Sequence, residues 1–211
     1  MKNLLVARKN KAIGILKKME KRNFIGVYVD TKEEALKQLM EWAPKGSSIT
    51  MGGSMSLSQM GVTQEFLNEH YDFIDRNLGN TFEEKRELIA KGMLADTFLT
   101  SVNALTQEGE LVNIDGVGNR VALMAYGPSQ VVVVAGMNKV EKTLEAAIDR
   151  ARNVAAPANT VRLNLKTPCS SMGICFDCHS DDCICASTVV TRHSKFPGRI
   201  KVILVGEDLG Y

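Results

Sequence analysis

The chain has 211 residues, 45% of them hydrophobic, and 26 Lys and Arg stand against 24 Asp and Glu for a formal charge of +2. That length suits one domain able to bury roughly 70% of its unfolded surface without staples. A near-neutral charge excludes a global field for nucleic acid, and no run approaches the ~20 apolar residues of a membrane span.

Met1-Lys2-Asn3-Leu4-Leu5-Val6 opens like an export signal, but Arg8, Lys9 and Lys11 interrupt it before an apolar core forms, so a cytoplasmic location is expected. Residues 1–22 place Leu4, Leu5, Ile13, Leu16 and Met19 among basic side chains, the pattern of a surface helix with one buried stripe. Its basic face is solvated or meets an acidic partner. Phe24–Val29 reads as a strand, and Thr31 and Glu34 have capping-box spacing before a helix that runs to about Trp42.

Ser47–Met51 is strand-like and leads through Gly52-Gly53-Ser54-Met55-Ser56-Leu57 into a helical segment reaching His70. Tyr71–Asp75, Asp96–Ser101 and Glu110–Asp115 read as strands, and Thr81–Leu94 as a charged amphipathic helix. Gln107-Glu108-Gly109 suits a turn between paired strands. Gln130–Ala135 is a continuous apolar run, as expected of a strand buried on both faces. Val140–Ala155 is expected to be a helix ending before Pro157, and Ser187–Arg192 and Arg199–Val205 to be the last strands. This alternation predicts an α/β fold with a mostly parallel sheet, helices on both faces and ligands at the carboxyl ends of the strands. A single domain over 1–211 is the simplest organisation.

Three segments carry chemistry. Gly52, Gly53, Ser54 and Ser56 lie between a strand and a helix, where free N–H groups and hydroxyls can meet an anion. The same residues also make a plain N-capped turn. Asn103, Asp115, Gly116, Gly118, Asn119 and Arg120 form a second polar elbow, read either as ligand contacts or as ordinary turn chemistry. The sharpest signal is the late cluster Cys169, Cys175, Cys178, Cys183 and Cys185 with His179, in a loop over 168–186. Dense thiols in a reducing compartment suggest metal binding, with zinc and an iron–sulfur cluster both open, as are free thiols.

Taken with Thr100–Thr106, Val134–Val140, Arg150-Ala151-Arg152 and Ala155-Ala156-Pro157, these motifs resemble the LUD (lactate utilization) domain family from about residue 10 onward. The resemblance extends to the group containing ribose-5-phosphate isomerase, glucosamine-6-phosphate deaminase and the CoA transferases. It implies a Rossmann-like, CoA-transferase-like sheet whose elbows converge on one pocket. It also implies a part in oxidising lactate to pyruvate with iron–sulfur partner subunits, and metal ligands at Cys169, Cys175, Cys178 and Cys185, with Cys183 a spare or alternative. Where the sugar isomerases carry acidic catalytic groups, this chain has Asn103, so isomerisation is not expected; nor is CoA transfer, for want of a glutamate nucleophile. The alternative is a stand-alone enzyme or binding protein for a phosphorylated, CoA-linked or nucleotide ligand with a zinc-braced loop. An oxidoreductase role and homo-oligomer formation stay open.

Overall fold

A computed structural model describes residues 2–211. In chain order it contains α1 (Lys2–Glu20), β1 (Ile25–Val29), α2 (Lys32–Trp42), β2 (Ser48–Met51), α3 (Met55–Gln59) and α4 (Gln64–His70). Then come β3 (Asp72–Ile74), α5 (Phe82–Gly92), β4 (Thr97–Thr100), β5 (Ala104–Thr106), β6 (Leu111–Asp115), α6 (Asn119–Ala125) and β7 (Gln130–Gly136). The last elements are β8 (Val140–Glu141), α7 (Leu144–Arg150), α8 (Ala156–Arg162), α9 (Pro168–Met172), β9 (Ser187–Thr191) and β10 (Ile200–Val205).

Six strands form one sheet in the order β1-β10-β7-β4-β2-β3, and every pairing in it is parallel. Strands buried on two faces need apolar residues at every position. Accordingly, Val131 and Val133 face a core with Ala12, Ile15 and Met19 of α1 and Leu123 and Met124 of α6. Val132 and Val134 face the opposite core, with Ala35 and Leu39 of α2, Leu57 of α3 and Leu67 of α4. Helices therefore cover both faces, as the alternation of elements predicts. A smaller sheet, β8-β5-β6-β9, packs Ala104, Val112 and Ile114 against Ala147 and Ala151. No helix among the described residues is long and apolar enough to cross a membrane.

Three local expectations are corrected, and one stretch without an assigned element is resolved. In α1 the buried stripe is Ala12-Ile15-Met19 with Leu16 partly covered; Leu4 and Leu5 are exposed because the core reaches only the second half of the helix, and Ile13 because it lies on the helix face away from it. The segment ending at His70 is two helices, broken at Gly61, whose φ of +85° leaves the helical region. The apolar stretch Val121–Met124, to which the sequence reading gives no element, lies in the helix α6, entered through Gly118 at φ +88°. Finally, Val140 and Glu141 form a strand, the helix starts only at Leu144, and Pro157 does not stop it. A π-turn over Ala151–Ala155 joins α7 to α8, and Pro157 falls in the first turn of α8, where the hydrogen-bond register changes and a missing N–H is tolerated.

Candidate functional site

The carboxyl ends of β2 and β4 and the turn after β7 open onto one cavity of about 260 Å³, which the bend after β6 also borders. Of the residues singled out in the sequence, Gly53, Ser54, Asn103, Asp115, Gly116, Asn119 and Arg120 line it. The two polar elbows, far apart in sequence, thus meet. Three others serve from behind. Gly52 gives way to Arg120, whose Cγ would lie 3.3 Å from a β-carbon there. Gly118 donates its N–H to Asp115 Oδ1 at 2.8 Å. Ser56 is fully buried and holds Lys139.

Arg120 organises the β6 side. Its Nε donates to Asp115 Oδ2 at 3.3 Å and its Nη2 to Asn103 Oδ1 at 3.1 Å, with a further bond to the Ile114 carbonyl. Asn103 Oδ1 also accepts from Ile114 N at 2.8 Å, which ties the start of the second elbow to the strand that leads into its bend. Ser54 caps α3 by accepting from Leu57 N at 3.2 Å, so the plain turn reading and the cavity wall coexist in one residue. With only five residues, α3 carries little macrodipole. The positive potential of the cavity comes instead from side chains.

Those side chains are Arg76, Arg120, Lys139 and Arg162, set, among the described residues, against one lining side-chain carboxylate, Asp115. Among the described residues, no ion pair includes Arg76, Lys139 or Arg162. Burial pulls the Arg76 guanidinium below its ordinary value, opposed by Asp115 and Asp75. Lys139 is 3% exposed, and burial followed by the nearby Arg150 and Arg120 brings it down to about 7. Sequence reading missed Arg76, Lys139 and Arg162. The one available signal was a lysine inside the apolar Val134–Val140 run, where a charge has no reason to sit unless the fold supplies acceptors.

A second cavity, of about 450 Å³, adjoins the first and is lined by all five cysteines and His179. Cys169 is buried beside the Thr160 and Thr167 hydroxyls, at 3.5 and 3.2 Å. Cys175 Sγ accepts from Arg152 Nη2 and from Asp177 N, both at 3.4 Å, and Cys183 Sγ accepts from Cys185 N at 3.4 Å. Burial, then the Cys183, Cys169 and Cys175 sulfurs, push the Cys185 thiol up to about 12, whereas bonds from Ser180 lower Cys178. Among the described residues, no three His, Cys, Asp or Glu side chains converge closely enough to hold one metal ion. The two cavities share Ile114, Ala156 and Ile184 as a common wall.

An α/β chain with this parallel sheet and paired cavities has a family. The LUD domain profile matches residues 14–205, and the chain belongs to the LUD domain family, which is associated with lactate utilization. Among solved structures it is similar to a DUF162 family protein from Deinococcus radiodurans: 12% identity, TM-score 0.53, covering 94% of this chain and 98% of that one. At that identity the likeness speaks for the fold alone. No curated protein matches the chain.

Proposed function

We propose that this chain is an anion-binding component of lactate oxidation to pyruvate, working in the cytoplasm with iron–sulfur partner subunits and holding a metal centre of its own in the thiol cavity. The observation that carries this reading is the adjacency of a cationic cavity to a thiol-lined one across a single wall. Family membership supports the pathway. A volume of about 260 Å³ falls below the usual range of drug-sized pockets and suits a small metabolite. Lactate and pyruvate offer one carboxylate to Arg76 and Arg120, and Asn103, Ser54 and Asn119 can orient the remaining oxygens.

Geometry favours a cluster over a single ion in the thiol cavity. Four thiolates around zinc at ~2.3 Å must approach one another within about 4 Å, and no such group of three exists among the described residues. Five thiols around about 450 Å³ suit a larger, polynuclear centre, with Cys169, Cys175, Cys178 and Cys185 as ligands and Cys183 as a fifth thiol within reach. N–H groups of Arg152, Asp177 and Cys185 donate to the Cys175 and Cys183 sulfurs, as outer-sphere donors to metal-bound sulfur do. Bound there, a cluster would supply one-electron transfer. Arg152, Asn153 and the backbone of 175–185 would hold the sulfurs in place.

One observation favours the alternative of a phosphorylated, CoA-linked or nucleotide ligand: four lining cations exceed what one carboxylate neutralises. Sugar isomerisation and CoA transfer form no part of either reading, since Asp115, the one lining side-chain carboxylate among the described residues, is engaged by Arg120 and Gly118. Anaerobic purification with iron, zinc and acid-labile sulfide analysis separates the readings. Iron with matching sulfide is expected; stoichiometric zinc supports the alternative; native protein with neither removes the metal centre from the proposal.

A further inference from the structure

The short turn Met137–Lys139 after β7 buries a lysine where the anion cavity meets the core. Lys139 Nζ donates to Ser56 Oγ, Ser101 Oγ and the Val102 carbonyl, each at 3.0 Å. An ammonium can donate to all three oxygens, whereas a neutral amine can donate two bonds and accept one from a Ser56 or Ser101 hydroxyl, so the same three partners serve either form. All three are neutral.

The charged groups around Lys139 come from several elements. Arg150 of α7 reaches over the turn to the Asn138 and Asn103 carbonyls and stands 3.8 Å from Glu141. Arg120 of α6 is paired with Asp115. Arg76 and Arg162 line the same cavity. On the remaining side the tail covers the amine with the Leu209–Gly210 backbone. Asp115 and Glu141 are each held by an arginine, and among the described residues Lys139 has hydrogen-bond partners but no ion pair. A desolvated charge in that position is costly until an opposite charge arrives. The one accessible place for such a charge is the cavity that Lys139 lines.

We propose that Lys139 is the anion-anchoring residue of this cavity and that it gains its proton as the ligand enters, so that a small anion is captured together with a proton. This inference rests on the anion-binding reading above and assigns the residue that fixes the ligand's charged end. Because Lys139 is brought down to about 7 in the free protein, an anion that raises it draws in a proton across the range above neutrality. Affinity is then complete below about pH 7 and falls up to about tenfold per pH unit above it, until the raised value of the complex is reached. In the charged form these three oxygens take all three N–H groups, so Lys139 meets the anion through its charge and through the cavity-lining Ser101 hydroxyl it holds, not through a free N–H.

The test titrates the purified protein calorimetrically with sulfate and with L-lactate, neither of which changes charge near neutrality. Titration at about pH 6 and pH 8, in buffers of different ionisation enthalpy, counts the protons taken up. Wild type is expected to take up a proton fraction approaching one per anion at about pH 8, and little at about pH 6. Lys139→Met should bind more weakly at about pH 6 and lose both the uptake and the pH slope. Lys139→Arg should keep affinity without the slope, and Arg76→Ala should weaken binding while leaving the uptake in place. Preference for sulfate points to a phosphate-bearing ligand, and preference for L-lactate to a carboxylate; either supports the anchor if the slope follows Lys139. Equal proton uptake in wild type and Lys139→Met, or a borohydride-trapped pyruvate adduct on Lys139, would overturn the anchor alone. Failure of both anions to bind wild type would overturn the anchor and the proposed function together.

Discussion

At the scale of single residues, this chain places charge and bare backbone where apolar side chains would pack more simply. Gly116 is one case: a β-carbon there would lie 3.0 Å from Ile184 Cα, and Ile184 sits between Cys183 and Cys185. Gly116→Ala is expected to push the Cys183–Cys185 segment outward, cost about 1–3 kcal/mol and lower the metal retained on purification. Urea unfolding with metal analysis checks this; unchanged stability and metal content would show that the bend does not brace the thiol segment. Lys139 is the other case, with a consequence for stability in the absence of ligand. Its value is depressed on folding, so between about 7 and its unfolded value the unfolded chain holds more protons than the folded one. Stability should therefore rise with pH through that window, by up to about 1.4 kcal/mol per unit. Lys139→Met should flatten the rise, as unfolding midpoints across the range would show.

At the scale of elements, the helix running from Leu144 to Arg162 joins the two cavities. Before its π-turn and within it, Arg150 supports the Lys139 turn and Arg152 and Asn153 bond the Cys175 segment. Beyond it, Ala156 forms part of the shared wall, and Asn159 and Arg162 line the anion cavity. A π-turn holds one residue more than a regular helical turn, and each residue in a helix is worth about 100° of rotation. Deleting the exposed Val154 should restore a regular helix and swing Asn159 and Arg162 away, weakening anion binding at least tenfold, on the order of a 1.4 kcal/mol loss. Circular dichroism would confirm the fold, and calorimetry the loss; unchanged affinity would show that α8 is only scaffold.

Much at this scale was legible in sequence. The Val131–Val134 run and the Thr31 cap act through neighbours close in the chain, so periodicity and spacing find them. Pro157 misled because the signal of proline as a helix stop assumes regular helix on both sides of it. The stretch after Gly118 is too short for periodicity to separate helix from buried strand. The two glycine elbows were visible as motifs, since glycine and serine at a strand end have a local meaning. Arg76, Lys139 and Arg162 were not, because their role comes from elements brought together only by the parallel sheet.

At the scale of the whole molecule, the six-stranded sheet brings the elbows to one side and presents the second sheet, with its cysteine-rich segment, beside them. Exposed Leu4, Leu5 and Val6 leave the start of α1 off the core, while Arg8 holds the tail at the Gly206 carbonyl and Asp208. The central claim is that the cationic cavity captures a small anion. It is tested most directly by calorimetric titration of anaerobically prepared protein with L-lactate and sulfate, beside Arg76→Ala and Arg120→Ala variants shown to be folded. One site per chain is expected for at least one of the anions, with affinity reduced about tenfold or more, roughly 1.4 kcal/mol, in each variant. Wild-type protein that binds neither anion, or variants that bind as tightly as wild type, would contradict the claim.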